Sequence, residues 1–187
     1  MIQTEMPQSI SNQQLNWDGV EFEVFNNRIV FPMFSMSGRL FAVHMVNPEK
    51  KDYKTVIGEG LNFIPCMYAT KRDYENLYRS KKAILVEGLF DRAVFSRCLP
   101  EYACFARLST GVTQRIARYF NRYADLVVIG FDSDMAGDKG YKKAERAISS
   151  TVTRLKLPFH DAGDMAEERG IEWSKDYLQR RLQLLLS

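Results

Sequence analysis

Two aspartates one residue apart follow a short apolar run in the segment ADLVVIGFDSDMAGDKGYKKAERAI. The run Leu126 to Gly130 is typical of a strand buried on both faces of a parallel sheet, so the charge begins where the strand ends. If the chain stays extended, Asp132 and Asp134 project from the same face and can share one divalent cation. From the spacing alone a solvated strand-to-helix turn is the default interpretation, since turns favour Asp, Ser and Gly.

Further acidic residues are predicted at the same edge of the sheet. Glu87 follows the strand pattern AILV and precedes Gly88, which lets the chain turn without a side chain. The pattern HDAGDMAEERG places Asp161 and Asp164 in a loop after the last predicted strand. Sites in open parallel sheets form beyond the carboxyl ends of the strands. We therefore expect four acids to converge on one edge: Glu87, Asp132, Asp134 and Asp164.

Some of these acids also have a structural interpretation. Asp164 followed by Glu167 has the spacing of a capping box, in which the first residue begins a helix. Asp91, one residue after Phe90 at a predicted helix start, is expected to favour the helix dipole. Glu87 could be a surface acid at the end of a strand. The capping role of Asp164 and cation binding can coexist.

The elements that must position these acids follow from the hydrophobic pattern. From residue 82 onward, strands and helices alternate: strand AILV, a helix at about 90–97, strand YACFARL, helix TQRIARYFNRY, strand LVVIGF, a helix around GYKKAERAI and a strand near TRLKLPF. This alternation predicts an α/β fold with a mainly parallel sheet flanked by helices.

A small α+β subdomain is expected before this alternation. The segment NRIVFPMFSMSGRLFAVHMVN predicts a β-hairpin around Ser37 and Gly38, with Pro32 placing its first strand at a sheet edge. The basic, aromatic stretch TKRDYENLYRSKK predicts a helix. The resulting organisation is a polar tail at 1–14, the subdomain at 15–80, the α/β domain at 81–170 and a C-terminal helix at 171–187.

Composition excludes several classes of protein. The 187 residues, 45% of them hydrophobic, suffice for one domain with a small subdomain and a real core. The three cysteines form no Cys-Xaa-Xaa-Cys pair and lie apart from the two histidines, so no structural zinc site is predicted. The N-terminal residues lack the pattern of a signal peptide, and no apolar run is long enough for a bilayer. We expect a cytoplasmic protein with reduced thiols and no membrane partner.

Four motifs carry a family resemblance. The segments ILVEGLFDRAVF, FARLSTGVTQ, VVIGFDSDMAGDKGYKKA and DAGDMAEERG resemble, in order and spacing, those of the Toprim domain, and of DnaG-type bacterial and phage primases in particular. The resemblance covers residues 82 to about 170. The upstream hairpin segment is also similar to the primase segment that precedes that domain.

The resemblance implies a primase catalytic core that synthesises short RNA primers on single-stranded DNA from ribonucleoside triphosphates during replication. It implies Mg²⁺ as the cofactor, with Mn²⁺ as a substitute. By the same resemblance Glu87, Asp132 and Asp134 are catalytic residues and cation ligands, and Asp164 is the acid of the third motif. That motif usually bears a further acid two or three residues on, where this sequence has Ala166 and Glu167.

Basic residues supply candidate contacts to nucleotides or nucleic acid. The candidates are Lys54, Lys82, Arg107, Arg115, Lys139 and Lys142. A net charge of +3 is too small to indicate strong binding of nucleic acid. We therefore expect a separate zinc-binding or helicase subunit of a primosome as a partner, docking on the helix from Trp173 to Leu186, in the cytoplasm of a bacterium or a phage-infected host.

Two other functions stay open from the sequence. Toprim nucleases use similar acids to hydrolyse a phosphodiester. The upstream hairpin and the sequence VEGLFD favour the primase over such a nuclease. A non-catalytic nucleic-acid-binding scaffold of the replication machinery is the second alternative. Loss of the acids would indicate such a scaffold, and the acids are present.

Overall fold

The computed structural model describes residues 23–25, 28–34, 40–47, 52–57, 66–108 and 111–186. The chain divides into two compact units, Met1–Pro65 and Cys66–Ser187. The predicted tail at 1–14 and the predicted turn at Ser37 and Gly38 lie outside the described residues. The domain boundary near residue 81 stays a prediction, and the strand and helix just before it pack within the second unit.

The first unit contains a four-stranded antiparallel sheet. Its strands, in spatial order, are β1 (Glu23–Phe25), β2 (Arg28–Phe34), β3 (Leu40–Asn47) and β4 (Asp52–Ile57). The predicted hairpin is confirmed, since β2 and β3 pair from Ile29 opposite Val46 to Phe34 opposite Leu40. Val30, Val43 and Val56 form part of a buried cluster on this sheet.

The prediction that Pro32 marks an edge strand is wrong. β2 lies between β1 and β3, so it is an internal strand of the described sheet. The described pairing of β2 with β1 ends at Val30, and Pro32 pairs with Val43 of β3 beyond that stretch. A proline, which has no N–H to donate, is tolerated where no neighbouring strand requires that donor.

The second unit contains the predicted α/β sheet. Its five strands lie in the order β5-β7-β6-β8-β9, where β5 is Met67–Tyr68, β6 is Lys82–Val86, β7 is Ala103–Arg107, β8 is Leu126–Gly130 and β9 is Thr151–Arg154. The last four are mutually parallel and only β5 is antiparallel. The predicted mainly parallel sheet is therefore confirmed. The last strand lies earlier than predicted: it ends at Arg154, so only the first two residues of the segment TRLKLPF belong to it.

Helices cover both faces of this sheet. They are α1 (Lys71–Ser80), α2 (Leu89–Cys98), α3 (Gln114–Tyr123), α4 (Met135–Ala147), α5 (Ala162–Arg169) and α6 (Ile171–Leu186). Apolar residues of α1, α3 and α4 share one buried cluster with alternate residues of β6, β7 and β8. Helices α2, α5 and α6 contact one another on the opposite face. The turns from β6 to α2, from β8 to α4 and from β9 to α5 therefore meet at one edge.

A buried ion pair fixes α2 relative to the sheet. Arg92 of α2 is fully buried and forms an ion pair with Asp73 of α1. The Arg92 Nε donates to the carbonyl oxygen of Cys104, 3.1 Å away, and the Asp73 Oδ1 accepts from the Cys104 N–H at 2.9 Å. Breaking a hydrogen-bonded buried pair is costly because it leaves an uncompensated charge. This network holds α2, and with it the turn that carries Glu87, in one place.

Candidate functional site

Glu87 lies immediately after β6, at the carboxyl end of a central strand. One of its carboxylate oxygens is bound by the guanidinium of Arg107, the last residue of the neighbouring strand β7. That guanidinium also lies over the ring of Phe131, 4.6 Å from its centre. The other carboxylate oxygen, Oε1, is buried without a hydrogen-bond partner. Glu87 is therefore held through one oxygen, and the other has no hydrogen-bond partner among the described residues.

Asp132 lies two residues after the end of β8 and is partly buried. Burial raises the pKa of its carboxyl group, and the charges of Glu87, Asp161 and Asp134 raise it further. His160, whose Nε2 is 3.7 Å from the Asp132 Oδ2, opposes this shift. Like charges thus crowd Asp132, as expected of a carboxylate positioned to receive a cation.

Asp134 performs a structural task that the sequence did not predict. It is the N-cap of α4, and its Oδ1 accepts the N–H of Gly137 at 2.7 Å. Helix α4 approaches the preceding turn so closely that a Cβ on Gly137 would lie 2.0 Å from the carbonyl oxygen of Asp132. Only glycine permits that approach. The helix cap therefore fixes the spacing between Asp132 and Asp134.

The start of α5 differs from the expectation, while Asp164 as the third-motif acid stays a prediction. Asp161, not Asp164, is the N-cap of α5, and its Oδ1 accepts the N–H of Asp164 at 2.7 Å. The predicted capping box on Asp164 and Glu167 is therefore wrong, because the helix begins one turn earlier. Asp161 raises the pKa of both Asp132 and Asp91, whereas Asp164 is exposed and affects neither. The acid that α5 brings to the described cluster is Asp161.

Asp91 is a member of the cluster whose contacts the sequence did not predict. It is buried, and its Oδ1 accepts the N–H groups of Ala162 and Gly163 at 3.1 and 3.3 Å. Its Oδ2 accepts the N–H of Gly88 at 3.1 Å, which joins the start of α2 to the start of α5. Burial, followed by the charges of Asp161 and Asp132, raises the Asp91 pKa to about 6.

Two sequence signals could have indicated Asp161 and Asp91. Asp161 precedes Ala-Gly much as Asp134 precedes Met-Ala-Gly, and both aspartates cap helices. Asp91 stands three residues after Gly88, the spacing at which a carboxylate in the first helical turn can accept the N–H of the residue at the cap. Its bonds to α5 depend on tertiary packing, which no local pattern reports.

The predicted basic residues are dispersed. Arg107 lies in the site, bound to Glu87. Lys82 begins β6 and so lies at the opposite end of that strand, roughly 16 Å from Glu87 at the rise of an extended chain. Arg115 is in the first turn of α3, and Lys139 and Lys142 are exposed on α4. Lys54 lies in β4 of the first unit, opposite Met45.

The residues present fit a hard divalent cation in donor type. Carboxylate oxygens are the ligands that Mg²⁺ and Mn²⁺ accept most readily, and Mg²⁺ needs few of them. The buried, unpartnered Oε1 of Glu87 is an oxygen of this kind. Among the described residues, no three His, Cys, Asp or Glu side chains already converge as a complete ligand set. The arrangement is a group of acids and not a preformed cage of ligands.

The family is decided by a comparison of the segment that contains these acids. Residues 84–168 match the model of a protein family described as Toprim-like. This segment is a Toprim-like domain. The resemblance predicted from the four motifs is thereby confirmed, and the Toprim-like domain includes Glu87, Asp132 and Asp161.

Relatives of the Toprim-like domain include primases. The chain is 28% identical over 130 residues to a DNA primase of Clostridium acetobutylicum, covering 62% of this chain and 20% of that protein. A structure of the Aquifex aeolicus primase with its zinc-binding and RNA polymerase domains is 24% identical, with a TM-score of 0.68 over 87% of this chain and 43% of that one. A DnaG primase catalytic domain bound to single-stranded DNA is 18% identical, with a TM-score of 0.67 over 88% and 57% of the two chains.

These comparisons establish a common fold with DnaG-type primase catalytic cores. The chain spans one fifth of the curated relative and 43% and 57% of the two solved chains. In the part of the chain that the structure describes, no helix has both the length and the apolar character needed to cross a bilayer.

Proposed function

We propose that this chain is the catalytic core of a DNA primase, which joins ribonucleotides into short RNA primers on single-stranded DNA. The observation that carries the proposal is the acidic group at the sheet edge of a Toprim-like domain, with Glu87 after β6 and Asp132 after the adjacent β8. The similarity to DNA primases supports the reaction class. The DnaG domain bound to single-stranded DNA supports the template class.

The cation is assigned to Glu87 and Asp132, with Asp134 and Asp161 beside them. We place the third-motif acid at Asp161 rather than Asp164, because Asp161 is the one of these two whose charge raises the pKa of Asp132. When bound, Mg²⁺ or Mn²⁺ would lower the negative charge of the triphosphate and favour ionisation of the attacking hydroxyl.

Three side chains position the acids of the site, each in a different way. Arg107 holds one oxygen of Glu87 and leaves the other, Oε1, without a competing side-chain bond among the described residues. Asp134 holds the helix start, which keeps Asp132 at the strand end. Asp91 binds two N–H groups at the start of α5 and so keeps Asp161 beside Asp132. Positioning before the reaction is the main contribution a protein makes to phosphoryl transfer.

Template recognition is proposed to need a partner, a zinc-binding or helicase subunit of the replication machinery. Cys98 and Cys104 are free thiols buried in the second unit, and Cys66 is a free thiol that is partly buried. The proposed docking helix is α6, on which Trp173 and Tyr177 stack in parallel with ring centres 5.3 Å apart. We place the reaction in the cytoplasm of a bacterium or a phage-infected bacterium.

To test this proposal, the purified chain is incubated with labelled ribonucleotides, single-stranded DNA and Mg²⁺, with and without candidate replication partners. Primer products that disappear in Asp132→Asn support the proposal. Cleavage of the template without primer synthesis would favour a Toprim nuclease. Nucleic-acid binding that neither elongates nor cleaves, and that Asp132→Asn leaves unchanged, would favour a non-catalytic scaffold.

A further inference from the structure

Arg154 is a buried cation that sequence patterns did not single out. It is the last residue of β9 and pairs in register with Ile129 of β8, so it stands beside the strand end that leads to Asp132. Its side chain is only 9% exposed. Arginine is seldom buried without a partner, since desolvation of the guanidinium is costly. The contacts of Arg154 should therefore reveal its task.

Its side-chain hydrogen bonds among the described residues go to the turn before α4 and to the first turn of that helix. The Nη2 donates to the carbonyl oxygen of Asp132 at 2.8 Å and to the Oδ1 of Asp138 at 3.3 Å. The other two guanidinium nitrogens, Nε and Nη1, are buried and have no hydrogen-bond partner in the part of the chain that the structure describes. Arg154 is thus oriented toward the turn even though two of its donor groups stay unsatisfied.

The carbonyl oxygen of Asp132 is confined from two sides. Arg154 donates to it, and α4 approaches it so closely that a Cβ on Gly137 would lie 2.0 Å from that oxygen and 3.1 Å from the Arg154 Nη2. The carbonyl belongs to the residue whose carboxylate is crowded by other acids. Confining the main chain of Asp132 restricts where that carboxylate can point.

The charge of Arg154 acts in the same place. Burial lowers the pKa of its guanidinium, and the carboxylates of Asp138, Glu87 and Asp132 oppose this shift. Arg107, in contrast, binds the Glu87 side chain directly. Arg154 touches no carboxylate of the proposed cation site, so it leaves the oxygens of those acids available.

We propose that Arg154 is a positioning residue that holds the turn at Asp132 and the start of α4 in the geometry that binds the divalent cation. This inference rests on the cation site of the proposed function and deepens it. Second-layer groups of this kind raise metal affinity by orienting the ligands rather than by touching the metal. Arg154 preorganises Asp132 before any substrate is present.

The test measures binding of Mn²⁺ to the full chain, without nucleotide or DNA, by electron paramagnetic resonance of the free ion. Arg154→Met is expected to weaken Mn²⁺ binding by the folded protein at least about tenfold. The matched control is Lys156→Met. Lys156 also binds Asp138, at 3.0 Å, but its side chain is 58% exposed and no hydrogen bond joins it to the Asp132 carbonyl. This control should stay within about twofold of the wild type.

Urea unfolding of each variant separates positioning from stability. A purely structural role would lower the unfolding midpoint of Arg154→Met and leave the Mn²⁺ affinity of the folded protein unchanged, which would overturn the inference. Tighter binding would overturn it too, because Arg154 would then act only as a competing positive charge. If Arg154→Met does not fold, Arg154→Lys decides. It keeps the charge but loses the planar fork, so weaker binding supports positioning and wild-type binding contradicts it.

Failure of the inference and failure of the proposed function give different results. If the wild-type chain binds no Mn²⁺, the proposed cation site is wrong before any variant is compared. If the wild type binds Mn²⁺ and synthesises primers while Arg154→Met binds equally well, only the role of Arg154 is lost.

Discussion

The carboxyl ends of β6 and β8 each carry an acid, and the two acids have opposite surroundings. Glu87 after β6 has the guanidinium of Arg107 bound to one of its oxygens. Asp132 after β8 has Glu87, Asp161 and Asp134 as neighbours, and their charges raise its pKa. The side chain of His160, which is 54% exposed, has its Nε2 3.7 Å from the Asp132 carboxylate.

This difference indicates how the site divides its work. The Glu87 carboxylate is compensated within the protein, so its position is set before a cation arrives. The Asp132 carboxylate is not compensated by a bound side chain in the described structure, so a cation gains most of its attraction there. Substitutions of the two acids should therefore agree in their effect on activity and differ in their effect on stability.

The largest expected effect is that of Asp132→Asn on primer synthesis. The change keeps the size of the side chain and removes a charged ligand, so activity should fall by roughly 10²–10³-fold, the equivalent of several kcal/mol of charge stabilisation. The free energy of unfolding should stay equal or increase, since repulsion with Glu87, Asp161 and Asp134 is relieved. Primer assays and urea unfolding at pH 7 measure the two quantities. Near wild-type turnover at saturating Mg²⁺ would show that Asp132 does not hold the cation.

Glu87→Gln should lose activity as well, but at a cost in stability. The substitution leaves the guanidinium of Arg107, only 15% exposed, without its carboxylate partner. We expect the free energy of unfolding to fall by about 1–3 kcal/mol, as for other partly buried groups that lose a charged partner. Equal stability changes in Glu87→Gln and Asp132→Asn would contradict the contrast between the two strand ends.

A smaller effect should separate Asp161 from Asp164. Asparagine caps helices as well as aspartate, so Asp161→Asn should keep α5 and lower primer synthesis about tenfold or more through loss of charge beside Asp132. Asp164→Asn, on the same helix but exposed, is the matched control and should stay within about twofold. The reverse order of activities would restore Asp164 as the third-motif acid.

Gly137→Ala should disturb the Asp132 turn without changing any charge. The new methyl group would meet the Asp132 carbonyl oxygen at 2.0 Å, so the main chain must shift. We expect a loss of about 1–3 kcal/mol in the free energy of unfolding and weaker Mn²⁺ binding. Gly140→Ala is the control in the same helix, because its methyl group would meet the Phe131 ring at 3.0 Å and not the turn. If both variants bind Mn²⁺ equally, the close approach at Gly137 serves packing alone.

The smallest effect concerns the pH dependence of stability at Asp91. Its pKa is about 6 in the folded protein against an ordinary value of 3.8, so the folded state holds its proton more tightly. The contribution to stability is therefore present below about pH 4 and is lost as the pH rises through 6. In Asp91→Asn this decline should be absent, and the difference between variant and wild-type unfolding curves from pH 4 to 7 measures it. A constant difference across that range would contradict the raised pKa.

The sequence was sufficient where one segment determines the outcome. The apolar runs before Glu87 and Asp132 predicted two buried parallel strands, and the structure has them as adjacent strands in register. It was insufficient where two segments compete or meet. The sequence DAGD contains two possible helix caps, Asp161 and Asp164. The first is used because Asp91, which is far away in sequence, accepts the N–H groups of Ala162 and Gly163.

The internal position of β2 and the role of Arg154 could not be predicted for the same reason: both depend on contacts with another part of the chain. Pro32 indicated an edge strand because proline cannot donate to a neighbour, but β1 pairs with β2 at residues on the near side of it. Arg154 reads as an ordinary charged residue at the end of an edge strand. Its burial depends on α4, whose first turn closes over it from another part of the chain.

The acids come from separate turns, and this has a consequence during synthesis of the protein. Glu87 leaves the ribosome well before Asp132, and Asp161 follows later still, by roughly 4–15 seconds after Glu87 at ordinary rates of translation. The central strand β6 can thus pair with β7 and begin a core while its acid has only Arg107 beside it. Repulsion among all these carboxylates arises only after Asp161 has been made, when the strands from β6 to β9 are already synthesised.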